Sequence, residues 1–155
     1  MIGVKLMGGL GNQMFQYAIG RKMSLKNRTN LALDLTFYSN QTDDITPRHY
    51  ELGCFKLKPK LITKEAPTRK GILKIISKQP FTNTYNEKHF HFDPTALDQP
   101  DGTVFNGYWQ TDKYFSDIRK ELLDDFTITT PLSIDDQKVF DDITNETSVS
   151  LHVRR

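Results

Sequence analysis

The chain has 155 residues, which fits one domain and allows a real hydrophobic core. Hydrophobic residues make up 37% of it and mean hydropathy is −0.55, with apolar runs only a few residues long, so nothing in the sequence reads as a membrane-spanning helix. The net charge of +2 is unevenly spread: residues 1–91 hold 15 Lys/Arg against 6 Asp/Glu, and residues 92–155 hold 6 against 13.

Residues 2–7 (Ile-Gly-Val-Lys-Leu-Met) predict a buried strand that begins without a charged, then apolar leader; a cytoplasmic protein is the expectation. Gly8-Gly9-Leu10-Gly11 reads as a tight turn. A helix is predicted from Asn12 to about Lys26, with Met14, Phe15, Ala18, Ile19 and Met23 at helical spacing. Residues 30–35 predict a second strand, which completes a β-loop-α-β unit, the opening of a Rossmann-like sheet. The single Cys54 cannot form an internal disulfide and reads as a buried thiol.

Residues 36–100 read as an irregular insertion. It holds six of the seven prolines (Pro47, Pro59, Pro67, Pro80, Pro94, Pro100) and a basic helix candidate near 68–78. Its basic excess runs from Lys56 to Lys78 and includes Lys58, Lys60, Lys64, Arg69, Lys70 and Lys74. Such a block is either a solvated face or a peripheral contact with an anionic membrane surface or acidic ligand. Aromatics are not interleaved with these lysines, which argues against nucleic acid. Residues 103–107 predict a strand. Thr111 is placed to cap a helix carrying Tyr114, Phe115, Ile118, Leu122 and Phe126 on one face. Ser133 should cap the next helix, with Asp135 and Asp136 in its first turn. The alternation of Ser148 to Val153 predicts a last strand, so the expected division is a domain over 1–147 followed by the first strand of a second part, 148–155.

Two places carry chemistry. Gly8-Gly9-Leu10-Gly11-Asn12-Gln13 follows a strand and opens a helix, where glycines allow close backbone approach and the helix start offers free N–H groups. Asn12 and Gln13 would then set donors and acceptors at the mouth of a pocket, and Gly11 is expected to be required for the backbone geometry. The loop is not a dinucleotide fingerprint, because Met14 stands where that pattern needs glycine, and no P-loop Gly-Lys-Ser/Thr occurs. Asp34, at the end of the second predicted strand, keeps a nicotinamide-dependent oxidoreductase open; a non-catalytic carbohydrate-binding module is a third reading. At the other end, His152-Val153-Arg154-Arg155 places paired arginines at a strand terminus, suited to a diphosphate through their planar forks. His89 and His91 lack a third ligand at metal spacing. Trp109 beside Tyr108 either stacks on a sugar ring or seals a strand-to-helix corner.

Taken together, these segments resemble one family. Gly8-Gly9-Leu10-Gly11-Asn12-Gln13-Met14-Phe15-Gln16-Tyr17-Ala18 is similar to the N-terminal signature of bacterial α-1,2-fucosyltransferases, glycosyltransferase family 11. Gly107-Tyr108-Trp109-Gln110-Thr111-Asp112-Lys113-Tyr114-Phe115 is similar to an internal segment of that family. His152-Val153-Arg154-Arg155 resembles the start of its His-x-Arg-Arg-Gly-Asp-Tyr donor motif, which would make the chain an N-terminal piece cut inside that motif. The resemblance implies an α/β fold of GT-B type, with this chain as the Rossmann-like, acceptor-side domain. It implies inverting transfer of L-fucose from GDP-β-L-fucose to the 2-hydroxyl of a galactose-terminated glycan, as in O-antigen or lipopolysaccharide synthesis, at the cytoplasmic face of the membrane. The residues it singles out are Arg154 and Asn12 as catalytic, and His152, Arg154 and Arg155 as donor-binding, with Arg154 on the β-phosphate. Gly8, Gly9, Gly11, Asn12 and Gln13 would form an active-site loop. The sequence has no Asp-x-Asp triplet, and the resemblance implies no cofactor and no metal.

Overall fold

A computed structural model describes residues 1–39, 47–63, 81–151 and 153. The helix expected near 68–78, the lysines and arginine from Lys64 to Lys78, and His152, Arg154 and Arg155 lie outside the described residues.

Five strands form one sheet: β1 (Ile2–Lys5), β2 (Leu31–Asp34), β3 (Lys60–Ile62), β4 (Asn83–Asn86) and β5 (Thr103–Asn106). Their order is β3-β2-β1-β5-β4 and every pairing is parallel. Central β1 carries Ile2, Gly3 and Val4, all buried, as a strand covered on both faces must. Helix α1 (Leu10–Lys26) connects β1 to β2 and packs on this sheet. It lies close because Gly20 has no side chain: a Cβ there would overlap Val4 and Leu31. From β1 the chain steps outward to β2 and β3, crosses to the far edge at β4 and steps inward to β5, beside β1. Parallel sheets hold ligands beyond the carboxyl ends of their strands, where the loops after β1 and β5 meet.

The core joins Ile2, Val4 and Leu6 to Tyr17, Ile19 and Met23 of α1 and to Phe105, Trp109 and Tyr114. Downstream lie α2 (Arg119–Asp125) and α3 (Ile134–Asn145). Arg21 Nε and Tyr17 Oη both donate to Asp125 Oδ2, at 2.8 and 2.9 Å, which fastens α1 to α2. Burial and the neighbouring Asp125 carboxylate push the Tyr17 phenol well above its ordinary value, so it stays a donor.

Several expectations change. Residues 36–100 are less irregular than their composition suggests, since β3 and β4 fall within them. Helix α1 begins at Leu10 rather than Asn12, with Gly9 as its N-cap, so Asn12 does not cap it. Thr111 caps a single 3-10 turn (Asp112–Tyr114), a second 3-10 turn follows at Ser116–Ile118, and only then does α2 form. Ser133 caps α3 as expected, with its Oγ accepting from Asp136 N at 3.1 Å. Ser148–Leu151 and Val153 are not in a strand: they have no pairing partner among the described residues, and Val149 and Leu151 are 93% and 87% exposed. Cys54 is half-buried, its Sγ 3.4 Å from Glu51 O. Among the described residues, no helix is long and apolar enough to cross a membrane.

Candidate functional site

The loop after β1 turns on Gly8, whose φ is +76°; a Cβ there would also overlap the Asn12 amide. Two buried glutamines hold this loop. Gln13 Nε2 donates to Gly8 O (3.1 Å) and His49 O (2.7 Å), while its Oε1 accepts from Glu51 N (2.9 Å). Gln16 Oε1 accepts from Met7 N (3.0 Å) and its Nε2 donates to Gly107 O (3.1 Å), joining the ends of β1 and β5 from beneath. Tyr38 Oη adds a bond to Gly8 O at 3.2 Å. Its phenol is pushed up, mainly by burial and then by Glu51 and Tyr50, so it remains a donor.

The loop after β5 is held from a different direction. The Glu87 carboxylate accepts from Tyr108 N (2.7 Å) and Trp109 N (3.0 Å). Gly107 permits this close contact, because a Cβ there would overlap the Glu87 side chain. Trp109 takes φ +58°, a left-handed conformation that costs a bulky residue free energy, and the two bonds to Glu87 help hold it. Its indole is fully buried against Tyr85, Phe105 and Tyr114. Of the two roles open for Trp109, the structure gives the corner seal. The turn carries Gln110 back to α1, where Gln110 Nε2 donates to Asn12 Oδ1 at 2.7 Å. Asn12 thus bridges the loops that follow the neighbouring strands β1 and β5.

A cavity of about 330 Å³ opens beyond the ends of β1, β4 and β5. Met7, Phe90, Asn106 and Tyr108 line it, together with Glu87 and Lys88. Asp93 stands behind Lys88. Its carboxylate accepts from Thr95 Oγ1 (2.6 Å) and Tyr85 Oη (2.7 Å) and pairs with Lys88 Nζ (3.2 Å). The bonds from Thr95 and then Tyr85 hold the Asp93 carboxyl well below the usual range. His89 and His91 are exposed on a turn, their rings 5.8 Å apart, and do not share a strand face. Asp34 ends β2, where one carboxylate oxygen accepts from Thr36 N at 2.9 Å.

The expected loop residues therefore divide. Asn12 is half-buried and accepts a bond from Gln110 across the two loops. Gln13 turns inward and is fully used by the backbone, so it is a brace rather than a ligand contact. Gly11 lies inside α1 with open space around the position of a Cβ, and the need for glycine falls on Gly8. Glu87, Gln16 and Arg48, whose guanidinium lies beside Gly9, were not legible as site residues: each reaches its place through contacts tens of residues away in the chain.

The parallel sheet and the loops clasped together after β1 and β5 define a Rossmann-like α/β unit. The chain is similar to the alpha-1,2-colitosyltransferase of Escherichia coli, 31% identical over 169 aligned positions that take in all of this chain and 54% of that protein. It spans about half the length of this curated relative. No family model and no solved structure matches it.

Proposed function

We propose that this chain provides the acceptor-side, Rossmann-like unit of a GT-B type glycosyltransferase, which moves a deoxyhexosyl group from a nucleotide diphosphate sugar to a glycan hydroxyl. The observation that carries this is the similarity to a glycosyltransferase along the whole chain. The clasp of Asn12 on Gln110 adds support, because it brings together two segments that resemble the fucosyltransferase signatures. The finer reading is inverting transfer of L-fucose from GDP-β-L-fucose to the 2-hydroxyl of a galactoside. Arg154 would neutralise the leaving diphosphate, with His152 and Arg155 beside it. Asn12 would orient the sugar at the loop, without a metal ion. The basic run of Lys56–Lys78 would rest against an anionic membrane surface; within it Lys56 already pairs with Asp124 at 2.9 Å.

Mass-spectrometric detection of a disaccharide product, from GDP-L-fucose and a methyl galactoside, tests this. Product whose added sugar is released by an α-1,2-specific fucosidase is expected. Transfer only from a colitosyl donor would replace the fucosyl reading. NADH-dependent reduction without any sugar transfer would return the function to the oxidoreductase class through Asp34.

A further inference from the structure

The cavity beyond β1, β4 and β5 has a lining that decides what kind of ligand enters. At about 330 Å³ it lies at the small end of ligand sites, which run from roughly 300 to 1,000 Å³. Its one lining carboxylate, Glu87, is occupied on both oxygens by backbone N–H groups. Of the lining groups that can carry positive charge, Lys88 pairs with Asp93 and stands 5.5 Å from the centre of the Tyr85 ring, and His89 has its Nδ1 3.1 Å from His91 O. A phosphate entering would meet a carboxylate in the wall and a cation already paired, so this is a poor place for a diphosphate. The rest of the wall is amphipathic. Phe90 lines the cavity yet is 72% exposed, Tyr108 and Met7 add apolar surface, and Asn106 spends its Nδ2 on Asn86 at 2.7 Å, which leaves its Oδ1 as an acceptor. A pyranose has matching surfaces: a C–H face for an aromatic ring and hydroxyls for the polar edge.

We infer that this cavity is a subsite for a neutral sugar, with Phe90 and Tyr108 against its C–H face. Resting on the glycosyltransferase reading above, that sugar is the acceptor galactoside, and the diphosphate of the donor binds outside this cavity. Saturation-transfer NMR of the protein with methyl β-D-galactopyranoside, with and without excess GDP, is the test. The expected result is transfer to the ring C–H protons that GDP does not displace. Phe90→Ala should weaken it roughly tenfold, and Phe90→Trp should retain it. Phe90 is exposed, so neither change threatens the fold. Equal binding by wild type and Phe90→Ala, displacement by GDP, or no galactoside signal would each overturn the assignment. Kinetics separate this from the broader reading. Sugar transfer with an acceptor KM unmoved by Phe90→Ala sinks the subsite and leaves the glycosyltransferase standing. Phe90-dependent galactoside binding without any transfer does the reverse.

Discussion

Gly8 and Gly11 lie three positions apart and ask for opposite outcomes on substitution. Gly8 has a positive φ and no room for a Cβ, so Gly8→Ala should cost about 1–3 kcal/mol and lower the melting temperature. Gly11 sits in α1 with open space around it, and Gly11→Ala should be neutral or stabilise by up to about 1 kcal/mol. Thermal melts of the two variants check the pair; equal losses would mean that the loop is held by something other than the Gly8 turn. Asn12→Ala removes one bond to Gln110, a net of about 0.5–1.5 kcal/mol, so folding should survive while turnover falls strongly. A lower melting temperature with unchanged turnover per folded molecule would make Asn12 structural. The glycine run and the Asn were visible in the sequence as a turn-and-ligand pattern. Which glycine bears the constraint was not, because that depends on where α1 starts and where the Asn12 side chain lies.

At the scale of elements, two polar clasps do work that apolar periodicity does not reveal. Asp125 takes bonds from Tyr17 and Arg21 of α1, and Asp125→Ala should destabilise the protein by about 1–3 kcal/mol, read by chemical denaturation. A loss near zero would show that apolar packing alone holds α2. Asp93 links the turn after β4 to Lys88 and Thr95, with a carboxyl lowered below its unfolded value. A lowered pKa contributes stability that is fully present above the unfolded value, near 4, and is lost as pH falls through the folded one. The gap in melting temperature between wild type and Asp93→Asn should therefore be present at pH 7 and close as pH drops below about 4. A gap that widened in acid would reverse the assigned sign. Strands β1, β2 and β5 were legible because each has a buried apolar pattern. The edge strands β3 (Lys-Leu-Ile) and β4 (Asn-Thr-Tyr-Asn) were not: both are short and largely exposed, β4 is polar, and only pairing with a neighbour distant in sequence makes them strands. The same logic runs backwards at Ser148–Leu151, where local alternation suggested a strand and no partner among the described residues pairs with it.

For the whole molecule, the proposed chemistry hinges on how charge is neutralised as a nucleotide diphosphate leaves. In the proposed scheme that role falls to two arginines, Arg154 and Arg155, in a segment resembling a donor motif. A guanidinium fork supplies both charge and paired donors to phosphate oxygens, the same electrostatic role that an ion would play. Transfer should therefore persist in excess EDTA. Arg154→Ala should cost roughly 2–4 kcal/mol of transition-state stabilisation, about 10²–10³-fold in kcat/KM. Arg154→Lys should fall between the two, since it keeps the charge and loses the fork. Because the sugar subsite over β4 and β5 is separate from the diphosphate in this scheme, the acceptor KM should stay near its wild-type value in both arginine variants. Initial rates measured over a grid of donor and acceptor concentrations resolve these effects. EDTA-abolished activity restored by Mn²⁺ or Mg²⁺ would overturn the metal-free mechanism, and an Arg154→Ala enzyme with near-normal kcat/KM would remove that arginine from the donor site.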